Sequence, residues 1–351
     1  MSAAEPVCAL PRFVANPPAT GGRVRLPDIW PTSALLAALT LATAAIWLIR
    51  PPDARFLVGA PLMRTQVIGD VFPKRLIDPI GRETVLGQPP RRIVSAVLAG
   101  DEMLAALVAP ERIASVTFYA DNPAISAAAG VFASSTNRNH GRIEELLAQQ
   151  PDLAVVASYN DAVTVRLLLK TGVAVVRLPD ARSFADIVSG IQTLGSAVGA
   201  ADRAAAVVAS MQTHIAAVRR RVAGRARPRV LYYALGGFTV GRGSLIDEMI
   251  ALAGGRNVAR EAGVAAHGRI SAELAIALQP AVLLVSGWQD EQAPAAMMLT
   301  EQPAWQQVPA VKDGRIHVVR GAWLTSVSQD SIRGAEVIAR LLHPDAFDGE
   351  D

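Results

Sequence analysis

Lysine is nearly missing from this 351-residue chain: Lys74, Lys170 and Lys312 are its lysines, and the rest of its 34 basic residues are arginine. GC-rich coding accounts for that bias, so arginine content carries no functional weight. Cysteine is limited to Cys8, which excludes an intrachain disulfide. Cys8 precedes the long apolar stretch described below, the wrong side of it for a lipid-bearing cysteine. Charge is scarce as well: the formal net is +3, and the first 50 residues hold four arginines against Glu5 and Asp28. The remainder is therefore close to neutral and offers no electrostatic footprint for nucleic acid. Aromatic residues make up 5%, whereas apolar residues make up 51%. Over this length, such a composition predicts two or three packing units and excludes a disordered tail or a small disulfide scaffold.

Enzyme signatures are missing in the same way. There is no Gly-x-Gly-x-x-Gly after a first strand, no phosphate loop, no Gly-x-Ser-x-Gly elbow and no cysteine nucleophile. Gly236-Gly237-Phe238 and Gly241-Arg242-Gly243 follow a predicted strand but lack the later glycine and the downstream acid. No catalytic residue and no cofactor are expected.

One long apolar run is present. Residues 33–49 carry no charge, follow Arg23 and Arg25, and stop at Arg50-Pro51-Pro52. A membrane-spanning helix needs about 17–25 residues, and Ala42-Thr43-Ala44 supplies small residues of the kind a signal peptidase accepts. A cleaved signal and a retained anchor both fit. The basic flank predicts that everything beyond it is exported. Residues 1–32 read as a disordered extension and 50–89, punctuated by prolines, as a linker.

Beyond the linker, short aliphatic runs alternate with helical patterns. Ile93–Leu98, Ile113–Thr117, Leu153–Ala157, Val173–Leu178, Val230–Ala234, Val282–Val285 and Ile316–Val319 read as strands buried on both faces, hence parallel sheet covered by helices. Helices are predicted over Asp101–Val108, Arg142–Gln149, Ala162–Lys170 and Ser244–Ala253. The fold class is α/β. Two stretches repeat one pattern, Glu144 with Pro151 and Glu273 with Pro280, each acid followed seven residues later by a proline and then by a strand. The acid suits a helix start and the proline ends the helix, so two similar lobes are expected. Between them Ala200–Val222 predicts a single helix of about 35 Å, long enough to bridge two lobes. The organisation read this way is an N-terminal lobe over 90–182, a connecting helical segment over 183–224, a C-terminal lobe over 225–345 and a tail over 346–351.

The order of motifs resembles a known family. Pro90-Arg-Arg-Ile-Val-Ser95, Asp101-Glu102-Met103, Arg142-Ile-Glu144 with Gln150-Pro151-Asp152-Leu153, Gly241 to Val258, Ile270-Ser271-Ala-Glu273 with Gln279-Pro280, and Val308 to Val319 are similar to the periplasmic solute-binding proteins of ABC importers for iron-siderophores, haem and cobalamin. The resemblance spans roughly 88–344. It implies two Rossmann-like lobes joined rigidly by one long helix, with a small-molecule metal chelate held between them and delivered to an ABC permease in the inner membrane by a monomer. It also implies that Glu144 and Glu273, one per lobe, dock onto permease arginines. Independently, carboxylates at two helix starts can form charge-assisted pairs with arginine, or simply complement the helix dipoles. A membrane-tethered sensor or scaffold of the same fold, and less so a two-lobed metal-chelate enzyme, stay open as alternatives.

Ligands of open α/β sheets collect beyond the carboxyl ends of strands. The loops there carry Tyr119, Tyr159, Phe238, Arg242, Trp288 and Trp323, and with His140 these are the expected ligand-binding residues. His140 and His267 each precede a motif glutamate, which raises ligation of haem iron or a metal ion. No second His or Cys stands at ligand spacing, so hydrogen-bonded loop histidines and no metal centre are expected; His214, His317 and His343 read as ordinary helix or strand residues. After the first strand the chain has Val97-Leu98-Ala99-Gly100 where the family commonly carries hydroxyl residues. Gly100 and Asp101 at the predicted helix start offer free amides as an anion contact.

Overall fold

The computed structural model of the protein describes residues 65–78, 81–287 and 294–347. Cys8, residues 1–32 and the apolar segment 33–49 lie outside the described residues. Among those described, no helix is long and apolar enough to cross a membrane.

The described residues open on a sheet where the sequence reads as linker. β1 (Gln66–Ile68), β2 (Lys74–Ile77) and β3 (Glu83–Leu86) form a three-stranded antiparallel sheet. Pro73 falls between β1 and β2, so it costs the ladder no bond. Two cations fasten it to the rest: buried Lys74 donates from Nζ to Ser196 O at 3.0 Å, and Arg82 donates from Nη2 to Val173 O at 2.9 Å and from Nη1 to Leu169 O. Arg82 is itself held by Asp78 at 3.2 Å.

The first lobe is a five-stranded parallel sheet of order β6-β5-β4-β7-β8, built from β4 (Ile93–Ser95), β5 (Ile113–Thr117), β6 (Asn137–Asn139), β7 (Leu153–Val156) and β8 (Ala174–Arg177). Its helices are α1 (Leu98–Leu107), α2 (Ile143–Leu147) and α3 (Ala162–Lys170). Two helices then leave the lobe. α4 (Phe184–Val198) is capped by Ser183, whose Oγ accepts from Asp186 N, and ends at Gly199 in the left-handed region. α5 (Ala201–Val222) has 22 residues, about 33 Å at ~1.5 Å per residue.

The second lobe repeats the plan with β9 (Arg229–Tyr232), β10 (Phe238–Val240), β11 (Arg256–Asn257), β12 (His267–Arg269), β13 (Val282–Gly287) and β14 (Ile316–Arg320). Four of these form a parallel sheet of order β11-β9-β13-β14, and β10 pairs antiparallel with β12 as a separate ribbon. Its helices are α6 (Leu245–Leu252), α7 (Ala272–Ala277), α8 (Pro294–Glu301), α9 (Pro309–Lys312), α10 (Gly321–Thr325) and α11 (Ser331–Leu342).

Side chains alternate across each strand, and here the alternation sorts residues into three cores. Leu153 and Val155 of β7, and Val282 and Leu284 of β13, point into one core shared by both lobes and by α4, α5 and α11. Ala154 and Val156 point into a separate core beneath α2 and α3. Leu283 and Val285 point into a third, with Trp305 and Ala275. A continuous apolar core that crosses from lobe to lobe makes the junction a packed one. α5 packs against α4 and α1 on one side and α11 on the other, and His214 on α5 meets Glu336 on α11 at 2.6 Å.

Candidate functional site

A cavity of about 390 Å³ lies where the loops of the two lobes meet. The first lobe supplies the segments after β7 (Ala157, Ser158, Tyr159) and after β8 (Leu178 to Arg182), together with Ala99 and Met103 of α1. The second supplies Ser244, Leu245 and Ile246 at the start of α6, His267 of β12, and Leu324, Thr325 and Val327 around α10. The first-lobe wall thus stands at the carboxyl ends of parallel strands, as expected of an open sheet.

Local hydrogen bonds hold these walls in place. Asn160 accepts from Ala157 N at 2.7 Å and donates to Ala96 O at 2.7 Å, tying the loop after β7 to the loop after β4. Ser158 donates to Asp180, joining the loops after β7 and β8. Across the cleft, Ser244 caps α6 by accepting from Asp247 N at 3.2 Å. Gly237 and Gly241 let the β10 segment approach its neighbours: a Cβ at either would collide with the carbonyl oxygen of Ile270 or Val264 respectively.

The lobes touch directly beside the cavity. Glu102 on α1 is buried; its carboxylate accepts from Ser326 Oγ at 2.7 Å and from Ala127 N at 2.8 Å, and its carbonyl accepts from Gln329 Nε2 at 2.9 Å. Burial raises the Glu102 carboxyl above the ordinary range, against the lowering effect of its hydrogen bonds. Next to it Asp101 is fully buried and accepts from Thr117 Oγ1 at 2.5 Å; burial outweighs this bond and raises its carboxyl to about 7. Ala322 N also donates to Ala124 O at 2.8 Å across the junction. These acids correct one expectation. The helix begins at Leu98, three residues ahead of the predicted start, so Asp101 N is spent on Val97 O and is not a free amide for an anion.

Of the residues expected to bind ligand, Tyr159 lines the cavity. Tyr159 is 68% exposed; partial desolvation by the loops around it, followed by the charges of Asp101, Asp180 and Glu102, pushes its phenol up. Tyr119 and His140 sit together on the first lobe beyond β5 and β6, outside the cavity lining. There Phe118 stacks on His140 at 4.7 Å and contacts Tyr119 at 3.9 Å. His140 is further held by Glu145, which accepts from His140 N at 2.5 Å and lies 3.3 Å from Nδ1. The second lobe mirrors this with Phe238 stacked on His267 at 6.0 Å, and of the two rings His267 reaches the cavity.

Trp323 and Arg242 also lie outside the cavity lining. Trp323 is half-buried against the shared core under the Arg320 guanidinium at 5.4 Å, and its successors Leu324 and Thr325 face the cavity instead. Arg242 lines a different cavity of the second lobe. The guanidinium of the cleft belongs to Arg182, in the loop between β8 and the α4 cap, where the carboxyl-end rule would have found it. Trp288 lies outside the described residues. Among those described, no three His, Cys, Asp or Glu side chains converge as metal ligands.

Glu144 and Glu273 occupy matching places: each is exposed in the first turn of a short helix, α2 or α7, that follows a short strand. The match extends to the helix exits, where Gln150 and Gln279 adopt left-handed backbone with φ of 47° and 45° ahead of Pro151 and Pro280. A bond from the Ser271 side chain and one from its own backbone amide hold the Glu273 carboxyl below its ordinary range.

Comparison with known proteins agrees with this arrangement. The chain is 22% identical over 289 residues to the ABC transporter substrate-binding lipoprotein YvrC of Bacillus subtilis, covering 79% of this chain and 88% of that protein. It is 27% identical over 203 residues to a cobalamin-binding protein of Halobacterium salinarum, covering 57% of this chain and 54%, about half, of the archaeal protein. The solved structure of the periplasmic haem-binding protein RhuT from Roseiflexus sp. RS-1 superposes with a TM-score of 0.64 at 26% identity, over 73% of this chain and 99% of that one. The sequence pattern described as periplasmic binding protein matches residues 93–321, through both lobes and the helices joining them, and the chain belongs to that family of transporter substrate-binding proteins.

Proposed function

We propose that this protein captures a metal chelate of the iron-siderophore, haem or cobalamin class in the interlobe cleft, on the outer side of the inner membrane, and hands it to an ABC permease. The observation that carries this reading is the cavity itself. Its walls are largely apolar, from Met103, Leu178, Leu245, Ile246, Leu324 and Val327, with Tyr159, Arg182 and His267 as polar anchors. Large ligands bury most of their surface against such walls and take orientation from a few polar groups. Arg182 suits a carboxylate of the chelate through its planar fork. Glu144 and Glu273, exposed at equivalent places on the two lobes, are the groups we assign to permease docking, and residues 33–49 are the segment we assign to export or tethering.

The test is spectroscopic. Exported protein titrated with haemin, with cyanocobalamin and with a ferric siderophore is expected to give saturable absorbance changes with one of the three. Tyr159→Ala and Arg182→Ala should each weaken that binding by about tenfold, the scale of one polar anchor. The double variant Glu144→Ala, Glu273→Ala should bind normally and fail in cellular uptake. Absence of binding to all three chelates overturns the ligand class, and normal uptake by the double variant overturns the docking assignment.

A further inference from the structure

Arg242, displaced from the ligand cleft, belongs to a second cavity of about 580 Å³ on the far lobe, whose rim carries Arg227, Arg242, Arg256 and Arg260. We infer that this cavity is an oxyanion site of the phosphate class, separate from the cleft and lined by these four arginines.

The cavity floor is ordered by buried polar groups. Asn257 donates from Nδ2 to Asp247 Oδ1 at 3.0 Å and to Val240 O at 2.9 Å, fixing the start of the turn over 258–260 against α6. The two acids of the lining already have cationic partners. Asp247 Oδ2 lies 3.6 Å from Arg260 Nη1, and Glu261 is clasped by Arg229 at 3.0 Å and Arg256 at 2.6 Å. Arginines therefore outnumber carboxylates, and the excess cationic charge is concentrated on Arg227 and Arg242. Arg227 spends one bond, from Nη2 to Gly255 O at 3.0 Å. Arg242 has its backbone pinned, its N donating to Val264 O at 3.0 Å and its carbonyl accepting from Ala266 N at 2.8 Å. Its guanidinium makes no hydrogen bond or ion pair among the described residues. An unspent guanidinium beside three others around one concavity offers charge-assisted bonds to a group with several anionic oxygens. Guanidinium forks match phosphate oxygens two at a time. The volume leaves room for an organic substituent, so the oxyanion can come from a soluble phosphate ester or from a lipid headgroup.

Calorimetric titration with inorganic phosphate and with glycerol 3-phosphate, and flotation with phosphatidylglycerol vesicles against phosphatidylcholine vesicles, all at fixed ionic strength, test the site. Saturable binding of the soluble probes assigns a free phosphate; flotation with phosphatidylglycerol alone assigns a headgroup; either result supports the site. Arg242→Glu is expected to reduce the binding at least tenfold and Arg242→Lys to reduce it less, with Arg227→Ala as a second variant that leaves Asp247 and Glu261 paired. Thermal unfolding of each variant reports whether it folds. No binding to any probe, equal displacement by chloride, or unchanged binding in both Arg242→Glu and Arg227→Ala overturns the inference. Cleft ligands play no part in these readouts, so the outcome is independent of the proposed transport role.

Discussion

Asp101 carries the clearest pH dependence in the protein. Its folded carboxyl titrates near about 7, against 3.8 for an ordinary aspartate, so between those values the native state holds a proton that the unfolded chain has released. Stability falls with rising pH wherever the native state binds more protons. The contribution of Asp101 is thus complete below about pH 3.8 and is lost as pH rises through about 7. Asp101→Asn keeps an acceptor for Thr117 and cannot ionise. The wild type is expected to lose stability relative to this variant as pH rises from about 4 to 7, by an amount on the order of a few kcal/mol at most. Urea midpoints of both proteins across that range check it, and parallel curves would contradict it. Nothing in the local sequence announces this behaviour. Asp101-Glu102 reads as a polar helix start, yet Asp101 is buried against Thr117 of its own sheet and Glu102 against Ser326 of the second lobe.

At the scale of elements, the repeat of acid, helix, proline and strand was legible because each step is local. Proline bars helix through itself and disfavours it at the residue before. The structure adds how the exit is made, with Gln150 and Gln279 left-handed at 47° and 45°. Left-handed backbone costs an L-residue about 1–2 kcal/mol, more when it is β-branched. Gln150→Val is therefore expected to destabilise the protein by about 1–2 kcal/mol and Gln150→Gly to leave it near neutral, measured by urea unfolding. The strands divide in the same physical way. Central β4, β5, β7, β9 and β13 were visible as aliphatic runs because both faces are covered. Asn137–Asn139 and Arg256–Asn257 lie at sheet edges, where a strand of two or three polar residues suffices and no apolar run is needed. The β1–β3 sheet was hidden by the prolines that punctuate this stretch, and is fixed by long-range bonds from Lys74 and Arg82 that no local pattern encodes.

For the whole molecule the decisive contact is the one between lobes. Glu102→Ala would leave Ala127 N without its acceptor and remove the link to Ser326, so a loss of about 1–3 kcal/mol is expected. Glu102→Gln, which keeps an acceptor oxygen, should recover most of it; denaturant unfolding of the pair checks both. The sequence alone determined the α/β class, the paired lobes, the long helix and the family, since all of these rest on periodicity, punctuation and motif order along the chain. Tertiary structure decided which loop residues share the cleft. Tyr159 and Arg182 line it, whereas Arg242 and Trp323, which meet the same rule of lying after a strand, face elsewhere. Position after a strand fixes only the end of a sheet, and the direction a side chain takes from there depends on how the shared core and α5 set one lobe against the other.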